Sequence, residues 1–411
     1  MKLEETLKTI KKFSRELVMA SEQTIVDALL SLADGLQKNT DLILVENAKD
    51  LEKISSDDPI RDRVMLNEDR IKELANGVRT IAGYNSPVDV TLEERTLENG
   101  LQLKKISTPL GVVGVVFEAR PNIVVDIFAL CLKSKNACVL KGGSKSEYSN
   151  AILVKIIKEA VGSLADAVVL LPNDREILAE FFKADKYVDV LIPRGGNELI
   201  NFVRENSLIP VIETGAGVVH TFVDESADLQ KAREIIFNAK TSRPSVCNAL
   251  DTLIIHRERL EDLPHICLKL AEKEVEIYAD SEALRALEGE YPEKLLMKAE
   301  EENFGMEYLS LKMAVKTVGS LDEAIEHINN YGSGHSEAII TGNKENAKKF
   351  LHAIDAAAVY VNASTRFTDG GVFGLGAEVG ISTQKLHARG PMGIKELTSY
   401  KWEIIGDGQI R

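Results

Sequence analysis

One cysteine of four stands apart from the rest. Cys247 lies in TSRPSVCN, after a proline and shortly before the apolar run LDTLIIH. A thiolate attacks carbonyl carbon far better than a thiol does, and it is favoured beside positive charge or unpaired N–H groups. Arg243 supplies the charge, and Pro244 with Ser245 signals a turn or helix start that would supply the N–H groups. Cys131 in FALCLK, Cys138 in ACVLK and Cys267 in HICLKL sit instead within apolar patterns, where cysteine behaves as a small core residue. Local context alone leaves Cys247 open between the nucleophile of an enzyme and a buried apolar residue.

Two glycine turns point to a second chemistry. In CVLKGGSKSE, Lys141, Gly142, Gly143 and Ser144 follow a strand pattern; in LIPRGGNELI, Arg194, Gly195 and Gly196 stand between a strand and a helix pattern. Glycine lets backbone approach a phosphate closely, and the next helix offers free N–H groups at its positive end. No GxGxxG directly follows a strand, so the simple Rossmann fingerprint is absent. The same turns also read as ordinary tight connections between strand and helix.

Residues this far apart in sequence need a framework to position them. At 411 residues the chain exceeds one core of ordinary size and predicts two domains. LEETLKTIKKFSRELV, TIVDALLSLADGLQ and IKELANGVRTIAGY space apolar residues as helices do. TLEERTL and LQLKKIS then flank Glu98, Asn99 and Gly100, which predicts an exposed β-ribbon. From Val112 onward, strand patterns up to PVIE alternate with helical ones, and a second such series begins at LDTLIIH. This α/β alternation implies mostly parallel, doubly wound sheets that bind nucleotides at the carboxyl ends of their strands. The glycine-rich stretch from Thr368 to Gly390 reads as loop lining a cleft.

Composition narrows the classes further. With 64 acidic against 50 basic residues the net charge is −14, so nucleic acid and anionic membranes are not expected partners. No apolar run approaches a membrane span, and MKLEETLKTIKKFSRELVMA lacks the apolar region of a secretory signal, so the mature chain is expected to start near Met1. Four cysteines without CxxC or another metal-ligand spacing favour neither a disulfide framework nor a metal site. A cytoplasmic setting is expected.

PLGVVGVVFEARPN, LKGGSKSE, TSRPSVCN, VGSLDEAIEHINNYGSGHSEAI and FGLGAEVGISTQKLHARGPMG together resemble the gamma-glutamyl phosphate reductase branch of the aldehyde dehydrogenase superfamily. The likeness runs along nearly the whole chain and is most specific from Val318 to Ile339. It implies two doubly wound α/β lobes with a β-ribbon oligomerisation arm. The cofactor-binding domain is expected at 1–90 and 108–217, the catalytic domain at 218–385, and the arm with the C-terminal segment at 91–107 and 386–411. It also implies the reduction of L-glutamyl 5-phosphate to L-glutamate 5-semialdehyde and phosphate in proline synthesis, with Cys247 as thioester-forming nucleophile. Asn122 then holds the oxyanion; read from its neighbours alone it is a helix N-cap.

Other residues follow from the same likeness. Glu307 matches the acid on the nicotinamide ribose, and Lys141 the lysine on the adenosine ribose. Ser144 with Lys145 stands where NAD-preferring relatives carry a glutamate, which favours NADPH. Glu213 falls where hydrolytic relatives activate water, a role that a reductase has reason to avoid. Arg120, Arg243 and Arg366 are candidates for the substrate's phosphate and carboxylate. His220 and His335 receive no catalytic role. The ribbon is expected to pair with SYKWEIIG of another subunit, giving a homo-oligomer, and a transient contact with glutamate 5-kinase stays open. Two alternatives remain at this stage: an aldehyde dehydrogenase acting on free aldehydes, and a binding protein that has lost the reaction.

Overall fold

The computed structural model describes residues 3–56, 58 and 60–411. Met1, the expected start, lies outside the described residues. The chain forms two compact units, one from Met1–Thr214, Gly374–Gly380 and Leu386–Arg411, the other from Gly215–Phe373 and Ile381–Lys385. No helix among the described residues is long and apolar enough to cross a membrane.

In the first unit, helices Leu3–Leu17, Glu22–Lys38, Thr40–Leu51 and Glu68–Ala82 form the opening layer. Glu22–Lys38 buries Ile25, Leu29, Leu32 and Leu36, a stripe at helical spacing, and Ser21 caps its start by accepting from the Thr24 N–H at 3.1 Å. Thr40–Leu51 is a helix that the apolar pattern does not reveal, because its buried face is largely polar. Asn47 donates to the Val64 carbonyl at 2.8 Å, and Asp50 accepts from the Ser149 N–H and hydroxyl at 2.8 and 2.7 Å.

Strands β1 (Thr91–Thr96) and β2 (Gln102–Pro109) form the expected antiparallel ribbon, turning at Gly100 with φ +87°. The C-terminal strand Thr398–Ile405 pairs with β2 of the same chain, from Thr398 opposite Pro109 to Ile405 opposite Gln102. This corrects the expectation that the ribbon pairs with this segment of another subunit: the one open edge of β2 is filled within the chain. Strands β3 (Val112–Phe117), β4 (Ala137–Gly142), β5 (Val168–Leu170) and β6 (Val190–Arg194) then make a parallel sheet in the order β5-β4-β3-β6. Every residue of β3 and β4 is buried, as in a sheet covered on both faces. The expected strand PVIE reduces to a single bridge between Leu191 and Val211.

The second unit is a sheet of seven parallel strands: β7 (His220–Val223), β8 (Thr252–His256), β9 (Glu276–Ala279), β10 (Leu296–Lys298), β11 (Lys312–Val318), β12 (Ser336–Ile340) and β13 (Ala358–Val361). Their order is β10-β9-β11-β8-β7-β12-β13. Alternate residues of β8 serve two cores. Leu253 and Ile255 pack with helices Leu229–Thr241 and Leu263–Glu272, while Ile254 packs with Leu321–Tyr331 and Lys344–Ala353. Both sheets are thus doubly wound. β10, only three residues long, leaves no readable period in the sequence.

Candidate functional site

In the first unit the carboxyl end of β3 lies between those of its neighbours, with Phe117 in register with Gly142 of β4 and Arg194 of β6. From β3 the chain runs to β4 and β5 on one side and returns to β6 on the other, so a topological switch point falls between β3 and β6. This brings the two glycine turns side by side. The Glu118 N–H donates to the Arg194 carbonyl at 3.0 Å, and its carboxylate accepts from the Gly196 N–H at 3.3 Å. Helix Asn197–Asn206 starts on Gly196 without a side-chain cap, and a Cβ there would meet nothing within 4 Å. A carboxylate therefore already lies against the start of this helix, the place where its dipole favours an anion.

Lys141 is buried, and its Nζ donates to the Gly142 carbonyl at 2.9 Å and to Asn173 Oδ1 at 3.0 Å. Burial draws the ammonium below the usual lysine range, against the charges of Asp174 and Glu147. A Cβ on Gly142 would stand 2.2 Å from Asn150 Nδ2, which leaves glycine as the residue that fits. Ser144 opens the short turn Ser144–Ser146, and Lys145 Nζ lies 3.3 Å from Asp58 Oδ2. Glycine-lined turns and a buried amine suit a dinucleotide.

Helix Asn122–Lys133 follows β3 with Pro121, not Asn122, as its N-cap, so the capping alternative for Asn122 does not describe it. The Asn122 Nδ2 instead donates forward one turn to Asp126 Oδ2 at 3.0 Å. Desolvation pushes the Asp126 carboxyl up to about 6, although the Asn122 hydrogen bond and the Arg194 charge pull the other way. Arg120 lies half-buried in the turn before this helix, and half-buried Glu213 stands 3.5 Å from Arg204 Nη1.

In the second unit Cys247 sits in a run of turns after helix Leu229–Thr241. Of the two expectations for Pro244 and Ser245 the turn is the one that forms: no helix begins there, and the proline follows a helix end. Cys247 is half-buried, whereas Cys131, Cys138 and Cys267 are wholly buried. Burial pushes the Cys267 thiol up to about 12, and contact with Cys138, together with burial, raises that of Cys131.

The loop is held from two sides. Asn248 Nδ2 donates to the Thr368 carbonyl at 2.7 Å, the Asn248 carbonyl accepts from Thr365 Oγ1 at 2.8 Å, and Arg366 Nη1 donates to Asn248 Oδ1. On the other side the chain entering β7 presses on Cys247 itself: a Cβ on Gly217 would lie 1.6 Å from the Cys247 carbonyl oxygen. The Gly217 N–H donates to Glu307 Oε1 at 2.9 Å, which brings Glu307 to the cysteine loop. Burial and then Arg243 lower the Arg366 guanidinium's hold on its proton, while Asp369 and Cys247 strengthen it, so both arginines belong to the Cys247 neighbourhood.

A family model for aldehyde dehydrogenases matches residues 25–279 and 310–402. The chain is 55% identical over 98% of its length to a gamma-glutamyl phosphate reductase of Pelodictyon phaeoclathratiforme, covering 97% of that protein. It is 52% identical to the Bacteroides fragilis protein of the same name, with complete coverage of both. The chain belongs to the aldehyde dehydrogenase family, in its gamma-glutamyl phosphate reductase branch. A crystal structure of the Thermotoga maritima gamma-glutamyl phosphate reductase superposes with a TM-score of 0.94 at 41% identity over the whole of both chains. An acetylating aldehyde dehydrogenase from Geobacillus thermoglucosidasius shares the fold, with a TM-score of 0.73 at 17% identity over 100% of this chain and 97% of that one.

Aldehyde dehydrogenases use a nicotinamide dinucleotide, and the candidate residues divide between the two units accordingly. Asn122, Lys141, Gly142, Gly143, Ser144, Lys145, Arg194, Gly195, Gly196, Arg120 and Glu213 belong to the first, and Cys247, Glu307, Arg243 and Arg366 to the second. His220 and His335 are wholly buried, His220 against Glu337 at 3.1 Å and His335 against Ser336 at 2.8 Å. Sequence reasoning missed Glu118, Asp126 and Asp251; the one available signal was an acid directly after or before an apolar strand, or one helical turn from a candidate.

Asp126 holds its proton more tightly in the folded chain than in the unfolded one. The stability this lends is present at low pH and is lost as pH rises through about 6. Asp126→Asn should therefore be the more stable protein at pH 8 by about 2 kcal/mol, allowing for partial solvent access. The gap should close towards pH 4. Urea unfolding of both proteins across this range measures it, and a gap independent of pH would contradict the assignment.

Proposed function

We propose that this chain reduces L-glutamyl 5-phosphate to L-glutamate 5-semialdehyde and phosphate, with NADPH as reductant and Cys247 as nucleophile, in the cytoplasm. The full-length relatives at 52 to 55% identity are named gamma-glutamyl phosphate reductases, which supports this reductive step, and with it a place in proline synthesis. They also favour this reading over a dehydrogenase of free aldehydes. The single observation behind the nucleophile is that Cys247 alone among the four cysteines is partly exposed, in a loop fixed at both sides.

The chemistry follows from that loop. The Cys247 thiolate adds to the acyl carbon of the substrate, and the carbonyl oxygen takes up negative charge that the Cys247 N–H and the Asn122 amide are proposed to stabilise. The bond from carbon to phosphate oxygen then breaks, and phosphate leaves with the electron pair, giving a thioester on Cys247. Phosphate is a good leaving group and needs no strong acid. When bound, NADPH supplies the hydride that the thioester carbon requires. The carbon–sulfur bond then breaks, its electrons return to sulfur, and the aldehyde is released with the thiolate restored.

Arg243 and Arg366 bring positive charge to the acyl phosphate, and Asp126 orients the amide of Asn122. Lys141 and the Gly142–Ser144 and Arg194–Gly196 turns hold the dinucleotide, with Glu307 on the nicotinamide ribose. Lys145 supports the choice of NADPH. Its pairing with Asp58 is an exposed, solvent-screened one, so a 2′-phosphate has little to displace. Glu213, already beside Arg204, is proposed as a structural acid.

Cys247→Ser should lower the rate of phosphate-dependent NADP+ reduction by L-glutamate 5-semialdehyde at least about 1,000-fold, since an alkoxide is far harder to form than a thiolate. A spectrophotometric assay of both proteins decides the point, and retained activity removes the mechanism. The chain is further proposed to assemble as a homo-oligomer through its three-stranded arm, where Leu92, Tyr400, Trp402, Ile404 and Ile405 are exposed. Light scattering on the eluting protein should give a multiple of the 45.2 kDa chain mass; a monomer mass would contradict it.

A further inference from the structure

A buried acid and a buried amine that the mechanism leaves unused adjoin the cysteine loop. Asp251 is 2% exposed and closes the segment that begins at Cys247. One carboxylate oxygen accepts from the Val219 N–H at 3.2 Å, and the other from the Tyr308 N–H at 3.0 Å. Val219 stands two residues after Gly217, and Tyr308 directly follows Glu307. A single side chain therefore ties together the two backbone segments whose relative position decides whether Glu307 reaches the Gly217 N–H, at 2.9 Å. Backbone bonds reinforce the tie: the Asp251 N–H donates to the Val219 carbonyl at 3.0 Å, and the Asp251 carbonyl accepts from the Ala314 N–H at 2.8 Å.

The nearby amine is Lys240, wholly buried at the end of helix Leu229–Thr241. The Lys240 Nζ donates to the Leu250 carbonyl at 2.7 Å, on the peptide that joins Leu250 to Asp251, and lies 5.8 Å from the Tyr308 ring centre. Desolvation opposes charge on both groups, pulling Lys240 down and Asp251 up, while each charge supports the other. Taking two charges out of water costs more than a well-packed apolar pair of the same volume would. A position that tolerates this cost is a place to look for a function.

We propose that Asp251 is a positioning residue for dinucleotide binding: by holding Val219 and Tyr308 at a fixed separation it sets Glu307 against Gly217 and the Cys247 loop, with Lys240 bonded to the adjoining peptide. The inference rests on the reading of Glu307 as a dinucleotide contact. Asp251 itself touches no reactant. An amide at 251 keeps the shape but offers one acceptor oxygen in place of two, so one of the two N–H groups loses its partner. Removing Lys240 leaves the buried carboxylate uncompensated, and its protonation has the same consequence.

The test compares Glu307→Gln, Asp251→Asn, Lys240→Met and the Asp251→Asn/Lys240→Met double variant, all as full-length protein, by steady-state kinetics with NADPH, by thermal unfolding and by the rate of Cys247 alkylation with iodoacetamide. Asp251→Asn should raise the KM for NADPH about tenfold with alkylation of Cys247 within about twofold of the parent. Lys240→Met should act in the same direction, and the double variant should be no worse than Asp251→Asn, since both act through one tie. If Glu307→Gln raises this KM and Asp251→Asn lowers only the unfolding temperature, the positioning role is overturned while the reading of Glu307 stands. An unchanged KM in Glu307→Gln overturns that reading, and the inference with it. Should Asp251→Asn fail to fold, Lys240→Met, which retains the carboxylate, gives the same readout, and an unchanged KM there overturns the proposal.

Discussion

The second unit turns on one close approach, that of Gly217 to the carbonyl of Cys247. No side chain fits between them, because a Cβ at 217 would lie 1.6 Å from that oxygen. Through this contact the chain entering β7 becomes one wall of the cysteine loop, and the Gly217 N–H, pointing at Glu307, becomes the link to the segment before β11. The other wall is made by Asn248 and its bonds to Thr365, Arg366 and Thr368. A nucleophile must present one face to a carbonyl and keep it there. Four polar contacts and one missing Cβ would do this for Cys247 in the proposed reaction, without a helix N-terminus.

The first unit solves a different problem with a similar economy of parts. Parallel strands place their carboxyl ends together, and the switch point between β3 and β6 leaves space where the chain departs in opposite directions. Small residues at Gly142, Gly143, Gly195 and Gly196 keep that edge open, while Lys141 contributes a buried amine. Asn122 follows β3 directly, so the element that builds this edge also carries the oxyanion candidate, with Asp126 one turn later. Desolvated carboxylates recur in both units, half-buried Asp126 in one and buried Asp251 in the other. In each case the acid holds a neighbour in place.

Much of this was legible from side-chain types alone. Apolar surroundings mark Cys131, Cys138 and Cys267 as core residues, and all three are wholly buried. The Asn99–Gly100 step marks the ribbon turn because the conformation needs positive φ. Where the reading failed, the deciding partner was remote or polar. Thr40–Leu51 hides its helical face behind Asn47 and Asp50, whose partners are over 100 and 98 residues away respectively for Ser149 and Tyr148. Pro244 with Ser245 leaves a turn and a helix start open, and the turn forms because the preceding helix already extends to Thr241. The C-terminal strand seeks the open edge of β2, and nothing in its own sequence says whose β2 that is. Asp251 looks like a loop acid until Val219 and Tyr308 are seen against it.

The account stands on a covalent bond between the Cys247 sulfur and the glutamyl carbon. Incubating the protein with L-glutamate 5-semialdehyde and NADP+, without phosphate, should trap that thioester, since the acceptor that releases it is missing. Acid-quenched mass spectrometry of the intact chain and its peptides should then find one glutamyl group per chain, on Cys247, removable by hydroxylamine. NADP+ reduction with no acylated cysteine, or acylation at Cys131, Cys138 or Cys267 instead, would contradict it.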